Sequence, residues 1–548
     1  LVETPKEDCH EEERRHRGFL LLQSSALEGN LEDHLRIQAF FELGHCYYYG
    51  IGTETNIEEA YTWYARAAES GSEGAQYLAA SLILDKRCSE TDTAKAIAWL
   101  RQAAEQGCMY STMRLGECYL EGNVVPKDAE EAFQWFQKSA ELGNSAAVNM
   151  VGRCYMDGNG VEQDQEKAFQ YFQKASEAGD ESAMFNLADC YFNGLGTEQS
   201  EEQAVPWYQK AAEANISIAQ YMLGTCYHFG KGVSPNEELA LHWLRKAAEQ
   251  DYVGAQYALG TLLFRNEDSG ENDAEAVRWL ERAAELGDIG SQVKLGVCYQ
   301  DGYNVLEQGK VCFKEDMEKA VELFQNAAEQ GDAEGQFQLA NSYRFGLGVK
   351  KNVPKMLYWL RLSAMQGYAE AQYALGICYQ DGIGVKADIE KAMDWYERSA
   401  AQNYPDAICS VGMYYLDEED DVETAKRLVY KAAQMDCLEA QYLMGMFLYE
   451  GDDSEEDEEA VAWFRMAARY QNHGGAMGML GYCYMNGTGV EQDDEMARVW
   501  LKRAAECRDY DAIELLKNYY MIDDYDDFEY EDYGDEPEYD DEDDDWED

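Results

Sequence analysis

Residues 371–403 read AQYALGICYQDGIGVKADIEKAMDWYERSAAQN. Gly382 and Gly384 bracket one residue just ahead of a helical pattern. Many phosphate-binding loops begin this way, with backbone N–H groups free to close on an anion. Elsewhere Ser291-Gln-Val-Lys294 fits the Ser-x-x-Lys pattern of serine acyl-enzymes. Two acidic runs, LDEEDDVE (416–423) and EGDDSEEDEE (450–459), offer carboxylates to a cation such as calcium. Fifteen cysteines offer sulfur to a metal or to one another.

The elements around these residues decide what each can do. Ala371, Leu375, Cys378 and Tyr379 recur at helical spacing on one apolar face. A second helix follows, with Ala392, Trp395, Tyr396, Ser399 and Ala400 as its buried stripe, Asp388 as N-cap and Asn403 past its end. No strand pattern precedes the glycines, and the third glycine of a dinucleotide fingerprint is missing. Glycine reaches φ > 0 at no steric cost, so the pair suffices as a tight turn between two helices.

The unit recurs. Indexed on the second helix, one position is Trp63, Trp99, Trp135, Tyr171, Trp207, Trp243 and Trp279 at a constant step of 36, then Leu323, Trp359, Trp395, Leu428, Trp463 and Trp500, which makes thirteen units. The first helix repeats in phase as Leu43-Gly44, Leu115-Gly116, Leu223-Gly224 and Leu375-Gly376, among others. Glycine inside a helix costs roughly 1 kcal/mol against alanine, so its recurrence predicts a close approach by a neighbouring helix. The Gly-x-Gly turn recurs seven times, from Gly50/Gly52 to Gly487/Gly489. A structural turn explains seven copies, whereas seven phosphate loops do not make sense in one chain.

The segments LGICYQDGIGVKADIEKAMDWYERSA, VGRCYMDGNGVEQDQEKAFQYFQKAS and LGYCYMNGTGVEQDDEMARVWLKRAA resemble Sel-one-like repeats, relatives of the tetratricopeptide repeat. The resemblance covers about residues 31–520. It implies an all-α fold, a right-handed α-solenoid of about thirteen helix-turn-helix repeats of about 36 residues with capping half-repeats. Members of this family typically act as adaptors that assemble complexes, often at membranes or in signalling, rather than as enzymes. The expected organisation is a charged segment and capping helix over 1–30, the solenoid over 31–520 and a disordered acidic-aromatic tail over 521–548. Leu21 to Gly29 matches a degraded second helix, and Ala512, Leu516 and Tyr520 match a closing first helix.

Formal net charge is −62, and the tail Met521–Asp548 holds eighteen acidic residues with no Lys or Arg, so removing its eighteen charges leaves −44 on the rest. That surface opposes phosphate backbones and anionic lipid. It favours a protein or peptide partner with a basic surface, whose encounter it would accelerate. No stretch approaches the 18 apolar residues of a membrane span, so neither direct nucleic-acid binding nor a membrane span is expected.

Eight of the cysteines (Cys46, Cys118, Cys154, Cys190, Cys226, Cys298, Cys378 and Cys483) occupy one position on the buried face of the first helix. They read as small buried hydrophobes. A cysteine-rich branch of the resembled family pairs such a residue with one in an adjacent helix, but most units here lack the second member. The odd count and the absence of a C-x-x-C favour a reducing compartment. The expected location is cytoplasmic, or the envelope or a lumen if a signal was removed before Leu1.

Ser291 stands where other units have Ala75, Ala219 or Ala371, and the Ser-Asp-Asn and Lys-Thr-Gly partners of an acyl-enzyme are missing. It reads as a packing residue. The seven histidines do not cluster, and neither acidic run has the spacing of a dedicated calcium loop. No catalytic residue, cofactor or metal site is assigned.

In a solenoid the positions facing the groove are free to differ between units and so can encode a partner. Counting the repeated alanine of the first helix as zero, positions +3 and +6 vary freely and lie one turn apart. They give Arg114, Glu117, Arg153, Asn186, Asp189, Asn341, Met446 and Tyr482 as candidate partner-binding residues. Position +2 is aromatic in eight units, including Tyr77, Tyr221, Phe337, Tyr373 and Tyr442; its regularity suits ordinary packing. Eight extra residues within 302–316 predict a protruding loop. In the tail, Tyr525, Tyr530, Tyr533 and Trp546, with Phe528 and Tyr539, punctuate the acid, the composition of a linear segment that docks on a basic, apolar-lined groove. The chain is thus expected to be a non-enzymatic scaffold that holds a peptide or protein in its groove and recruits basic partners at its acidic C-terminal end. The alternative expectation is a charge-based, nucleic-acid-mimicking inhibitor of a basic protein.

Overall fold

The computed structural model describes residues 6–27, 32–264, 270–301, 306–307, 310–311, 316–417, 421–449, 454–470 and 473–520. Among them lie 28 α-helices, of which the first, Lys6–Leu27, and the last, Tyr510–Asn518, flank thirteen consecutive pairs. The chain forms two compact units, Leu1–Leu262 and Leu263–Asp548. The first holds the N-terminal helix and the pairs from Asp33–Tyr49 with Ile57–Glu69 to Ser217–Phe229 with Glu237–Glu249. The second holds the pairs from Ile289–Asp301 with Met317–Glu329 to Gly474–Asn486 with Asp494–Glu506. Each is an α-solenoid in which a helix packs on its pair mate and on the next pair.

The helix pair Ala369–Asp381 and Ile389–Ala401 shows how the sequence makes these elements. Gly382 ends the first helix at φ +72° and returns its N–H to Cys378 O, a left-handed cap that glycine adopts without strain. The side chain of Asp388 accepts from Lys391 N and opens the second helix. Asn403 follows its end at φ +62°. Leu375, Cys378, Ala392 and Tyr396 are buried between the two helices, but Trp395 is only half-buried. The aromatic residue that fills the core is therefore the one after the indexed tryptophan, as it is for Tyr64, Phe136, Tyr208, Phe324 and Phe464.

Both glycine motifs have steric causes. A Cβ on Gly116 would lie 2.5 Å from the Phe136 ring, and one on Gly376 equally close to Tyr396. The close approach is thus to the large side chain of the pair mate. In the turn, a Cβ on Gly160 would overlap Ala129 O, at the start of the preceding unit's second helix. The second glycine therefore lets successive units stack backbone to backbone.

The N-terminal helix begins earlier than the repeat pattern predicts, at Lys6, and buries Phe19 and Ala26 against Ala39, Leu43 and Trp63. Of the expected protruding loop at 302–316, Leu306 pairs with Val311 and Glu307 with Lys310 in a short antiparallel ladder. The remainder of that loop apart from Asp316, residues 418–420 and 450–453 of the two acidic runs, and the tail 521–548 lie outside the described residues. Among the described residues no helix is long and apolar enough to cross a membrane.

Candidate functional site

The residues that looked capable of chemistry are held in structural roles. Gly382 and Gly384 form the turn just described, and the equivalent turn at Gly194 and Gly196 borders a shallow cleft of about 690 Å³ lined by Asp164, Glu166 and Glu198. Carboxylates there repel a phosphate. Ser291 is fully buried, and both its hydroxyl (2.6 Å) and its N–H (2.8 Å) donate to Asp288 Oδ2 ahead of the helix. The repeated cysteines are buried apart from the half-buried Cys46, and Cys46, Cys118, Cys154, Cys190, Cys226, Cys378 and Cys483 carry free thiols. Burial pushes the thiols up, Cys154, Cys226 and Cys378 to about 11 and Cys190 and Cys483 to about 12, away from the reactive thiolate. Among the described residues no group of three or more His, Cys, Asp or Glu is placed to hold a metal.

Positions +3 and +6 of the first helices are partly open, and several are tied to the unit before. Arg114 is ion-paired with Asp85 of the preceding unit and, at 3.0 Å, with Glu117 in its own helix. Asn186 donates to Asn149 Oδ1 of the preceding unit at 2.8 Å. Asp189 accepts from Asn193 at 2.8 Å and from Tyr208 Oη at 3.5 Å, and burial raises its carboxyl above the usual range. Arg153 and Tyr482 are exposed, whereas Asn341 and Met446 are half-buried. Tyr525, Tyr530, Tyr533 and Trp546 lie outside the described residues.

The aromatic +2 positions pack across units. Tyr221 meets Tyr252 at 5.2 Å between ring centroids, Phe337 meets Tyr368 at 5.4 Å, Tyr373 meets Tyr404 at 5.3 Å and Tyr442 meets His473 at 4.7 Å. These tilted pairs belong to the wall between neighbours.

Two features escaped the sequence reading. The first is a glutamine at position +1. Gln372 donates to Ala364 O of the preceding second helix at 3.1 Å and accepts from Gln402 at 2.8 Å; Gln76, Gln220 and Gln336 repeat the arrangement. The recurrence was visible, but glutamine reads as a surface residue.

The second is a basic, apolar surface on the ninth pair, Ala333–Phe345 with Val353–Met365. From Gly335 to Ala369 the chain has no Asp or Glu, yet it has Arg344, Lys350, Lys351, Lys355 and Arg361. Tyr358 and Met365 are 58% and 75% exposed on the second helix, and Phe345, the last residue of the first, is 56% exposed. The position of Met365 is glutamate in most second helices, among them Glu69, Glu105, Glu141, Glu177, Glu213 and Glu249. The position of Leu362 carries Arg66, Lys138, Lys210, Lys246 or Arg398 over the tryptophan ring in other units. A charge census by unit would have found this surface.

Compared with known families, the chain matches the Sel1 repeat in twelve segments, residues 38–72, 75–108, 110–144, 145–180, 181–216, 217–252, 253–288, 289–332, 333–368, 369–404, 438–469 and 475–509. The unmatched interval contains the pair Pro405–Asp417 and Val422–Ala433, a full helix pair without the Gly-x-Gly turn. Comparison with curated protein sequences gave no match. Among solved structures, the chain is similar to c5321, a protective antigen present in uropathogenic Escherichia coli strains and displaying an SLR fold. The identity is 32% and the TM-score 0.60, over 76% of this chain and 91% of that one. A Sel1 repeat protein from Oxalobacter formigenes matches at 32% identity and a TM-score of 0.41, over 46% of this chain and 96% of that one.

Proposed function

Because this chain belongs to the Sel1 repeat family, whose helix-pair solenoids generally serve as non-catalytic scaffolds for protein–protein interaction, we propose that it is an adaptor that holds a peptide or protein on its first-helix face. Its acidic C-terminal end then recruits a basic partner. The observation that carries this reading is the contrast within single helices. The positions that build the fold repeat as Ala, Gln, Leu, Gly and Cys, while Arg153, Asn341, Met446 and Tyr482 differ from unit to unit and remain at least partly open. A surface that varies on a monotonous frame suits recognition of one particular partner. We place the protein in a reducing compartment, in keeping with the free thiols of Cys118, Cys154, Cys190, Cys226, Cys378 and Cys483.

The test is affinity capture from cell extract with the full chain and with a chain ending at Tyr520, each washed at low and at high salt. A protein retained by both at high salt supports the groove. Capture that disappears with the tail or with salt supports instead a charge-based reading in which the acidic surface mimics nucleic acid, since exposed charges are screened beyond about 3 Å at 1 M salt.

A further inference from the structure

We propose that the basic, apolar surface of the ninth helix pair is the docking site of this chain's own acidic-aromatic tail, residues 521–548, within the same molecule. This goes beyond the adaptor reading, because the contact exists whether or not a basic partner is present.

The site supplies both chemistries that the tail carries. Lys350, Lys351 and Lys355 are exposed at the start of the second helix, and none of them forms an ion pair among the described residues. Lys355 instead rests over the Tyr343 ring at 5.1 Å. Along the same helix Tyr358, Leu362 and Met365 follow at i, i+4 and i+7, an apolar stripe on the outer side. The equivalent positions to Tyr358 in the neighbouring second helices are the exposed acids Glu322 and Asp394. They bound the basic surface on either side, so the occupant lies along one helix rather than across several.

The tail fits in charge, in aromatic content and in length. Its acidic residues are interrupted by Tyr539 and Trp546, which lie far enough beyond Tyr520 to meet the apolar stripe while the acids around them meet the lysines. From the ninth pair to the closing helix are five steps of roughly 10 Å each, about 50 Å. The 28 residues after Tyr520 reach at most about 100 Å when extended. The docked tail would be withheld from basic partners until one displaces it.

The experiment replaces Tyr358 by p-benzoylphenylalanine in the full chain, irradiates it and identifies the attached peptide by mass spectrometry. The same substitution at Tyr430, which is also exposed and nearer to the tail in sequence, reports random collision. The expected result is attachment to residues 521–548 in the monomer band, with a yield several-fold above that at Tyr430. Lys350→Glu with Lys351→Glu, or a rise from 0.1 to 1 M salt, which shortens the Debye length from about 10 to about 3 Å, should lower that yield severalfold. Equal capture at the two tyrosines, capture only in a dimer band, capture of another segment, or no capture at Tyr358 overturns the proposal. Far-UV circular dichroism of each variant shows that the helices are intact.

Discussion

The ring of Tyr396 occupies the space that a side chain at position 376 would need: a Cβ on Gly376 would lie 2.5 Å from Tyr396 Cε1. Tyr396 is itself 3% exposed and has nowhere to retreat. Gly376→Ala therefore sets overpacking of about 1–3 kcal/mol against the roughly 1 kcal/mol that alanine gains in a helix. The net expectation is a loss of stability, read as faster hydrogen exchange in Ala369–Asp381 and Ile389–Ala401. Tyr396→Leu should cost less in the Gly376→Ala background than in the unchanged chain, because the two positions share one space.

The two glycines of a turn should respond unequally. Gly158 and Gly160 both have positive φ, but the nearest atom to a Cβ on Gly158 is 3.5 Å away, whereas one on Gly160 would overlap Ala129 O. Gly158→Ala should cost only the left-handed strain of about 1–2 kcal/mol. Gly160→Ala should cost distinctly more and separate two units, seen as protease cleavage near residue 160 in that variant alone.

Removing Gln372 should loosen a whole joint. Gln372→Leu removes two hydrogen bonds, one from Gln402 and one to Ala364 O, but exposed Gln402 can turn to water and Ala364 O keeps the N–H of Gly367, so each bond should cost about 0.5–1.5 kcal/mol. Hydrogen exchange should rise around Ala364 and Gln402, with little change several units away, since repeats are coupled mainly to their neighbours.

Alkali should unfold the chain. Burial holds the folded thiols of Cys190 and Cys483 up at about 12, from 9.0 as the ordinary value. The fold therefore prefers the protonated form. Its advantage is complete below pH 9, where the unfolded thiol is also protonated, and is lost as the pH rises through 11 to 12. Buried Tyr64 and Tyr396, also raised by burial, add to the same trend. A urea midpoint that holds to pH 9 and falls above it is the expected measurement. At pH 8 an alkylating reagent should reach exposed Cys507 well before Cys190 or Cys483.

The fold was legible because the repeat states it thirteen times. Glycine in the first helix predicted a close approach, and the structure supplies the tyrosine or phenylalanine that causes it. Less legible was which aromatic fills the core, since Trp395 and Tyr396 are adjacent in sequence and both large. The candidate partner positions were chosen by their variation alone, and variation cannot tell Arg114, bound to Asp85 and Glu117, from the exposed Arg153. The basic surface of the ninth pair was overlooked because an overall charge of −62 hides a local exception.

The most direct test is a titration of the partner retained at high salt against the full chain and against Arg153→Ala, Asn341→Ala and Tyr482→Ala. The account predicts that at least one variant weakens binding about tenfold or more, the equivalent of 1.4 kcal/mol, with the circular dichroism unchanged. Affinity that survives all three substitutions but vanishes when residues 521–548 are removed would contradict it.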